Sequence, residues 1–213
     1  KTDGSALCWG FSWPDADVIE MAGPWRSVAA GGDFACGIHM DGRLQCWGKP
    51  APAILLVPSS ETYLQVSAGY ASVCALRNDS TVVCWASEAN TGIENVPQGR
   101  FFMVSVNDRY ACGLGMSGRL TCWGTNYNGR TDAPTDAGFV SVSAGYAHGC
   151  ALRDTGQAVC WGDNSTGAAT PLPGLYTDVL AGSGYSCGRR PDGTTVCWGN
   201  SFVYSRDLPA TTE

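Results

Sequence analysis

Two evenly spaced series of cysteines carry most of the reactive chemistry in this 213-residue chain. One series runs Cys8, Cys46, Cys84, Cys122, Cys160 and Cys197, the other Cys36, Cys74, Cys112, Cys150 and Cys187. Every step is 38 residues except the last in each series, which is 37. A thiol can act as a nucleophile, a metal ligand or half of a disulfide. The recurring interval is Cys-x9-Cys, whereas zinc sites use close pairs such as Cys-x2-Cys, so the spacing favours disulfides. Stable disulfides in this density require an oxidising compartment, which predicts a secreted or extracellular protein. Cys8 has no cysteine ten residues upstream and is expected to be unpaired or to bridge to another chain.

Other reactive residues are sparse. Nucleophilic catalysis needs a nucleophile, a base and a group that orients the base. The two histidines, His39 and His148, occupy different positions in the repeat and are expected as exposed or hydrogen-bonded surface residues. Asp15, Asp17 and Glu20 in the first loop, and Asp132 and Asp136 in a later one, are the remaining acids suited to glycosidic work or calcium binding. Their scatter predicts solvated surface instead. No Gly-x-Gly-x-x-Gly or Walker pattern follows a strand. The chain therefore reads as no enzyme, with no catalytic residue, metal site or cofactor. A formal charge of −6 supplies no basic face for nucleic-acid phosphates, and no stretch approaches eighteen apolar residues, so membrane insertion is not expected. Asn78-Asp79-Ser80 and Asn164-Ser165-Thr166 are acceptor patterns for N-glycosylation. With no initiator Met and no apolar leader before Lys1, the chain is expected to be a processed or trimmed piece.

The elements that position the cysteines follow from the same period, since self-similarity at a fixed step marks one supersecondary unit repeated along the chain. In the clearest unit, Phe139 to Ser143 alternates apolar and polar residues, the period of a half-buried strand. Ala-Gly recurs just before the first cysteine, as Ala30-Gly31, Ala68-Gly69, Ala144-Gly145 and Ala181-Gly182. Glycine there permits a positive φ or a close approach to a neighbour. Val106-Asn107 breaks the rule with a residue that tolerates the left-handed region. Midway between the two cysteines stand Asp41-Gly42, Asp79-Ser80, Ser117-Gly118, Thr155-Gly156 and Asp192-Gly193, strong hairpin signals. A three-residue loop places the cysteines opposite each other, near the Cβ separation a disulfide needs. The expected pairs are Cys36–Cys46, Cys74–Cys84, Cys112–Cys122, Cys150–Cys160 and Cys187–Cys197. Trp follows each cysteine of the first series, as Trp9, Trp47, Trp85, Trp123, Trp161 and Trp198. Neighbours in a strand face opposite ways, so each indole is expected to wedge against the next unit, with a carbohydrate-binding stripe as the alternative.

A unit of this length suits a propeller blade of three or four strands better than a solenoid rung. The expected fold is all-β: a disulfide-stapled β-propeller, or partial propeller, of about 38-residue repeats. Residues 1–213 form a single repeat domain, with hairpins around 36–46, 74–84, 112–122, 150–160 and 187–197 and a half unit at 1–10. Ala35-Cys36-Gly37, Cys74-Ala75-Leu76, Cys112-Gly113-Leu114, Cys150-Ala151-Leu152 and Cys187-Gly188, each with its later Cys-Trp, resemble the regulator-of-chromosome-condensation-like propeller superfamily. Within it the pattern is nearest to the extracellular repeats of the Crinkly4 receptor kinases of plants. The likeness covers almost the whole chain and implies a propeller, of seven blades in the family; it does not by itself imply receptor function.

On a repeat scaffold, function tends to lie where units deviate. The first loop, from Phe11 and Trp13 to Trp25, is rich in aromatics, and Lys49 to Pro58 is unusually apolar. Asn126-Tyr127-Asn128-Gly129 and Asn164-Ser165-Thr166-Gly167 share a loop position and read as turns. Phe11, Trp13, Trp25, Tyr127 and Asn128 form the candidate binding surface. The expected function is a non-enzymatic extracellular protein-binding or assembly module, its partner another protein or a second copy that completes the Cys8 unit head to tail. A secreted carbohydrate-binding protein, a lectin, is the alternative.

Overall fold

The computed structural model describes residues 4–8, 19–48, 61–86 and 91–200. The chain is all-β. Five three-stranded antiparallel sheets follow one another, each ordered as in the sequence. They are β3–β5 (Trp25–Ala30, Phe34–His39, Leu44–Gly48), β6–β8 (Tyr63–Ala68, Ser72–Arg77, Val82–Ala86) and β9–β11 (Phe101–Asn107, Tyr110–Gly115, Leu120–Gly124). β12–β14 (Phe139–Ala144, His148–Arg153, Ala158–Gly162) and β15–β17 (Asp178–Ala181, Tyr185–Arg189, Thr195–Gly199) complete the series. Ahead of them, β1 (Ala6–Cys8) pairs antiparallel with β2 (Ile19–Met21), Cys8 opposite Ile19, and the Cys8 thiol is free and half-buried.

Each strand shows in its composition what it packs against. The middle strands β4, β7, β10 and β13 are buried over five consecutive residues, because a neighbouring sheet covers both faces; small and apolar types therefore run without alternation. First strands alternate: in β12 Phe139, Val142 and Ala144 are buried while Val140 is exposed at a bulge. Bulges recur opposite the end of the second strand in β3, β6 and β9.

The hairpin carrying the cysteines closes with a three-residue loop whose last residue is left-handed, Gly42 at φ 90° and Gly118 at φ 73°, as the twist of the flanking strands demands. Ser80 takes the same conformation at φ 69°. Gly115 N–H donates to the Arg119 carbonyl at 2.8 Å. Alternating along the ladder from that bonded pair, Cys112 and Cys122 fall on a non-bonded pair, where side chains come closest. All five such hairpins are bridged, Cys36–Cys46, Cys74–Cys84, Cys112–Cys122, Cys150–Cys160 and Cys187–Cys197, with Cα atoms 4.0–4.1 Å apart.

The core lies between the sheets. Among the described residues each cluster of buried side chains draws on two consecutive sheets, as where Leu76 and Val82 meet Phe101, Val104 and Trp123. Polar bonds repeat across the same seams. The hydroxyls of Ser67, Ser105 and Ser143 accept from the N–H groups of Val106, Ala144 and Ala181 in the next sheet, at 3.0, 3.0 and 2.9 Å. Gln65 both donates to the Val104 carbonyl and accepts from its N–H, at 3.0 and 2.9 Å. Leaving a half-buried N–H without its acceptor costs roughly 1–2 kcal/mol. Ser105→Ala and Ser143→Ala are each expected to lower unfolding free energy by about that amount, measured by denaturant titration, while Ser117→Ala at an exposed hairpin tip changes it little. Equal stability in all three variants would show that the seams do not depend on these bonds.

Candidate functional site

The turns joining first to second strands converge at one end of the sheets. Gly32 N–H donates to the Tyr70 carbonyl at 3.2 Å, and Tyr146 N–H to the Gly182 carbonyl at 3.0 Å. A Cβ on Gly69 would stand 2.7 Å from the Asn107 carbonyl carbon, and one on Gly145 2.7 Å from the Gly182 oxygen. Close approach, not a positive φ, is therefore what the Ala-Gly pairs serve. Asn107, which stands in place of this glycine, is not left-handed. Its side chain ties the turn instead, accepting from Asp108 N–H at 2.7 Å and donating to the Ala144 carbonyl of the next sheet at 3.4 Å.

The converging turns enclose a cavity of about 520 Å³ lined by Gly31, Gly32, Gly69, Tyr70, Asn107, Asp108, Tyr146 and Ser183, among others. Gly32, Tyr70, Asp108, Tyr146 and Ser183 occupy one position of the repeat, at steps of 38, 38, 38 and 37. The rim is thus a unit position at which the five sheets present different or alternating chemistry. Both tyrosines project into solvent, Tyr70 at 70% and Tyr146 at 55% exposure. The Tyr70 ring lies against Gly32, where a Cβ would sit 3.0 Å from Cδ2. Asp108 is mostly covered and lies 3.5 Å from Arg109 Nε.

Beneath the rim runs a buried polar assembly. Arg130 is only 5% exposed. It donates to the carbonyls of Thr125 (2.8 Å) and Tyr146 (3.0 Å), and its guanidinium lies 4.9 Å from the centre of the Tyr110 ring. Burial lowers the Arg130 pKa and raises that of Tyr110. The Tyr110 hydroxyl donates to the His148 carbonyl at 2.6 Å. His148 is a correction to the surface expectation: it is 1% exposed, its Nε2 is 2.8 Å from Ser186 Oγ, and that hydroxyl donates to the Ala168 carbonyl at 2.9 Å. With the hydroxyl proton so committed, Nε2 carries the imidazole proton. Burial holds the His148 pKa below its ordinary value, with Asp163 opposing weakly.

The remaining candidates serve the scaffold. Trp123, Trp161 and Trp198 are buried, and their indoles donate to the carbonyls of Ile93, Arg130 and Ala168 in the loop that leaves the preceding sheet, at 2.8, 2.8 and 2.9 Å. They are packing elements and not a sugar-binding stripe. Trp25 is half-buried, stacks on His39 at 3.9 Å and Trp47 at 5.1 Å, and occupies the unit position of Tyr63, Phe101, Phe139 and Tyr176. That aromatic, always eleven residues before a cysteine, was legible in the spacing and belongs to the core. It also explains the small residue after the cysteine, since a Cβ on Gly113 would lie 2.4 Å from the Phe101 ring. His39 contacts Gln45 at 3.1 Å.

Asn126 and Asn164 build identical loops, each amide donating to a side chain six residues on (Asp132, Thr170) and each oxygen accepting from an N–H five residues on. In the first of these loops Tyr127 is exposed and Asn128 is left-handed at φ 55°. Asp132 is thereby bonded to Asn126, and Asp136 pairs with Arg153 at 2.6 Å. Asn78 is exposed at a hairpin tip and donates to Thr62 Oγ1. Phe11, Trp13, Asp15, Asp17, the side chain of Glu20 and residues 49–58 lie outside the described residues. Among the described residues no group of three or more His, Cys, Asp or Glu is placed to hold a metal ion, and no helix is long and apolar enough to cross a membrane.

The profile of the Regulator of chromosome condensation (RCC1) repeat matches residues 25–50 and 139–168. In the ectodomain of the Physcomitrella patens receptor kinase CR4 the similarity is 26% identity over 88% of this chain and 54% of that one, with a TM-score of 0.76. The CRINKLY ectodomain of the Arabidopsis thaliana receptor kinase ACR4 is 24% identical over 83% of this chain and 72% of its own, TM-score 0.70. Prp20p of Saccharomyces cerevisiae shares the fold at 14% identity, TM-score 0.70, over 82% and 58%. No curated protein sequence matches the chain. The fold is RCC1/propeller-like and related to the extracellular repeats of the CR4 and ACR4 receptor kinases, and the chain spans about half the length of the CR4 ectodomain it matches.

The buried histidine sets a pH dependence. Its folded pKa lies below the ordinary 6.5, so as pH falls through about 6.5 the unfolded chain takes up a proton that the folded one does not, and stability declines; above that pH the contribution is complete. The thermal midpoint is expected to fall between about pH 7.5 and pH 5 more steeply than in His148→Phe, which carries the residue of the equivalent position Phe34. Parallel pH profiles of the two proteins would refute a buried neutral imidazole.

Proposed function

We propose that the chain is a non-enzymatic extracellular recognition module. Its units, a single repeat domain over 1–213, are arranged around a common axis as a propeller or part of one, and they present the variable axial rim to a protein partner. The observation that carries this reading is the rim itself. Positions that repeat faithfully are occupied by packing, disulfides or seam bonds, whereas the rim changes from Gly32 to Tyr70, Asp108, Tyr146 and Ser183 and projects two large rings into solvent. An exposed, mixed aromatic and polar cluster over a rigid base has the composition of a protein contact centre. The likeness to receptor-kinase ectodomains supports an extracellular, protein-facing role, and disulfide-bridged hairpins suit that compartment.

The glycan reading is weaker at the loops that motivated it, because the amides of Asn126 and Asn164 are spent on loop closure.

The test is cross-linking of the oxidised protein on the surface of its source cells, beside a glycan array. A protein neighbour is expected with the wild type and with Tyr127→Ser, and lost with Tyr70→Ser/Tyr146→Ser. Saturable sugar binding that disappears on changing Tyr127 and Asn128 would instead establish the lectin.

A further inference from the structure

We infer that the axial cavity is a binding site for a cationic side chain, a guanidinium above all, presented by the partner protein. The inference rests on the protein-binding reading above and assigns its chemistry. Two exposed tyrosine rings, Tyr70 and Tyr146, share the cavity with one carboxylate, Asp108. Aromatic faces attract a cation through their quadrupole, and a guanidinium stacks on them flat while donating hydrogen bonds from its edge. Acceptors for that edge are at hand in the Asp108 carboxylate. Neighbouring charge is balanced towards the acidic side. Asp33 stands exposed beside Gly32, and Asp163 donates its N–H to the Ala147 carbonyl just behind the Tyr146 turn. Against these stand Arg109, half-exposed and 3.5 Å from Asp108, and Arg130, buried below the Tyr146 carbonyl. The Asp108–Arg109 contact is long and its arginine half-exposed, so screening keeps it weak and Asp108 is open to sharing with an incoming guanidinium.

The site is preorganised. The Asp108 backbone is held by the Asn107 side chain, which also grips the Ala144 carbonyl. The Tyr146 turn is held from below by Arg130 and sideways by Gly182. Tyr70 rests on the bare backbone of Gly32. Each contact sets one wall of the cavity relative to its neighbour, so little ordering is left for the ligand to bring about.

The experiment is an amide-resolved NMR titration of the oxidised chain with the peptide acetyl-Gly-Arg-Gly-amide. Its neutral isostere, citrulline in place of arginine, and chitotriose serve as the comparison probes. Arginine is expected to shift the amides around Tyr70, Asp108 and Tyr146 at concentrations on the order of 10 mM. The citrulline peptide should bind roughly tenfold more weakly, Asp108→Asn should weaken the arginine peptide by about tenfold, and Tyr70→Ala or Tyr146→Ala should weaken it by about threefold to fivefold. Arg109→Ala, which removes the competing cation, should tighten it. Equal shifts by arginine and citrulline, shifts confined to other loops, no shifts, or stronger shifts by chitotriose at these residues would each overturn the inference. Those outcomes differ from failure of the protein-binding reading itself, which shows as a cross-linking pattern that Tyr70→Ser/Tyr146→Ser leaves unchanged.

Discussion

A three-stranded sheet of sixteen or so residues has two faces and almost no interior. The seam between consecutive sheets is therefore where stability resides, and the other features answer to it. Every buried cluster spans two sheets, and two kinds of polar bond recur across the boundary about one repeat apart. The serine hydroxyls hold the inner strands together. The indole N–H groups hook the preceding loops at the buried end of each Trp. The disulfide has a complementary job within the sheet, tying the second strand to the third so that the indole one residue later is presented at a set angle. Where the hook has no described acceptor, at Trp47, the indole nitrogen is buried without a partner among the described residues.

The converging turns impose a second constraint of the opposite kind. Seams reward large side chains, while the converging turns have no room for a Cβ at Gly69 or Gly145. One residue later the crowding eases at Tyr70 and Tyr146, which project into solvent, though at Gly32 a Cβ would still meet the Tyr70 oxygen at 2.6 Å. That step explains why a nearly constant position stands next to a variable one. The outer loops are less free than their length implies: the equivalent Asn126 and Asn164 loops each close with the same two side-chain hydrogen bonds.

Much of the architecture was legible because it is periodic. The 38-residue step, the alternation in Phe139 to Ser143 and the Asp-Gly midpoints specify repeated antiparallel sheets. What escaped reading is what occurs once. Arg130 stands where the next unit has Ala168, and nothing in its neighbours signals a buried guanidinium; its acceptors are backbone carbonyls, which carry no residue-type mark. His148 stands at a hairpin end, which is usually wet, yet three of its four unit equivalents, Phe34, Ser72 and Tyr110, are buried, while the fourth, Tyr185, is exposed. The rim was legible in principle: aligning Gly32, Tyr70, Asp108, Tyr146 and Ser183 needs only the period. One variable column is a weak signal beside residues 11–25 and 49–58, which deviate from the repeat over many consecutive positions. Trp25 illustrates the reverse error, a member of a regular aromatic column taken for a loop anchor.

The single departures are not scattered. Asn107, Asp108, Tyr110 and Arg130 lie at the seam between the third and fourth sheets, where Asn107 reaches Ala144, Arg130 reaches Tyr146 and Tyr110 reaches the His148 carbonyl, while the His148 side chain faces the fifth sheet at Ser186. Other seams also carry side-chain bonds, Gln65 to Val104, Ser72 to the Asn107 carbonyl and His148 to Ser186, but Arg130 is the one buried guanidinium among the described residues. A seam made of apolar contacts tolerates small slides, since dispersion falls off smoothly and has no direction, while a chain of directional bonds to carbonyls admits one register. The desolvation visible in the depressed pKa of Arg130 is incurred at the boundary whose two rims carry Asp108 and Tyr146, whereas that of His148 falls at the next seam, against Ser186. Directional bonds to carbonyls thus lie beneath Asp108 and Tyr146, the pair of side chains whose relative placement matters most for holding a ligand between a carboxylate and a ring.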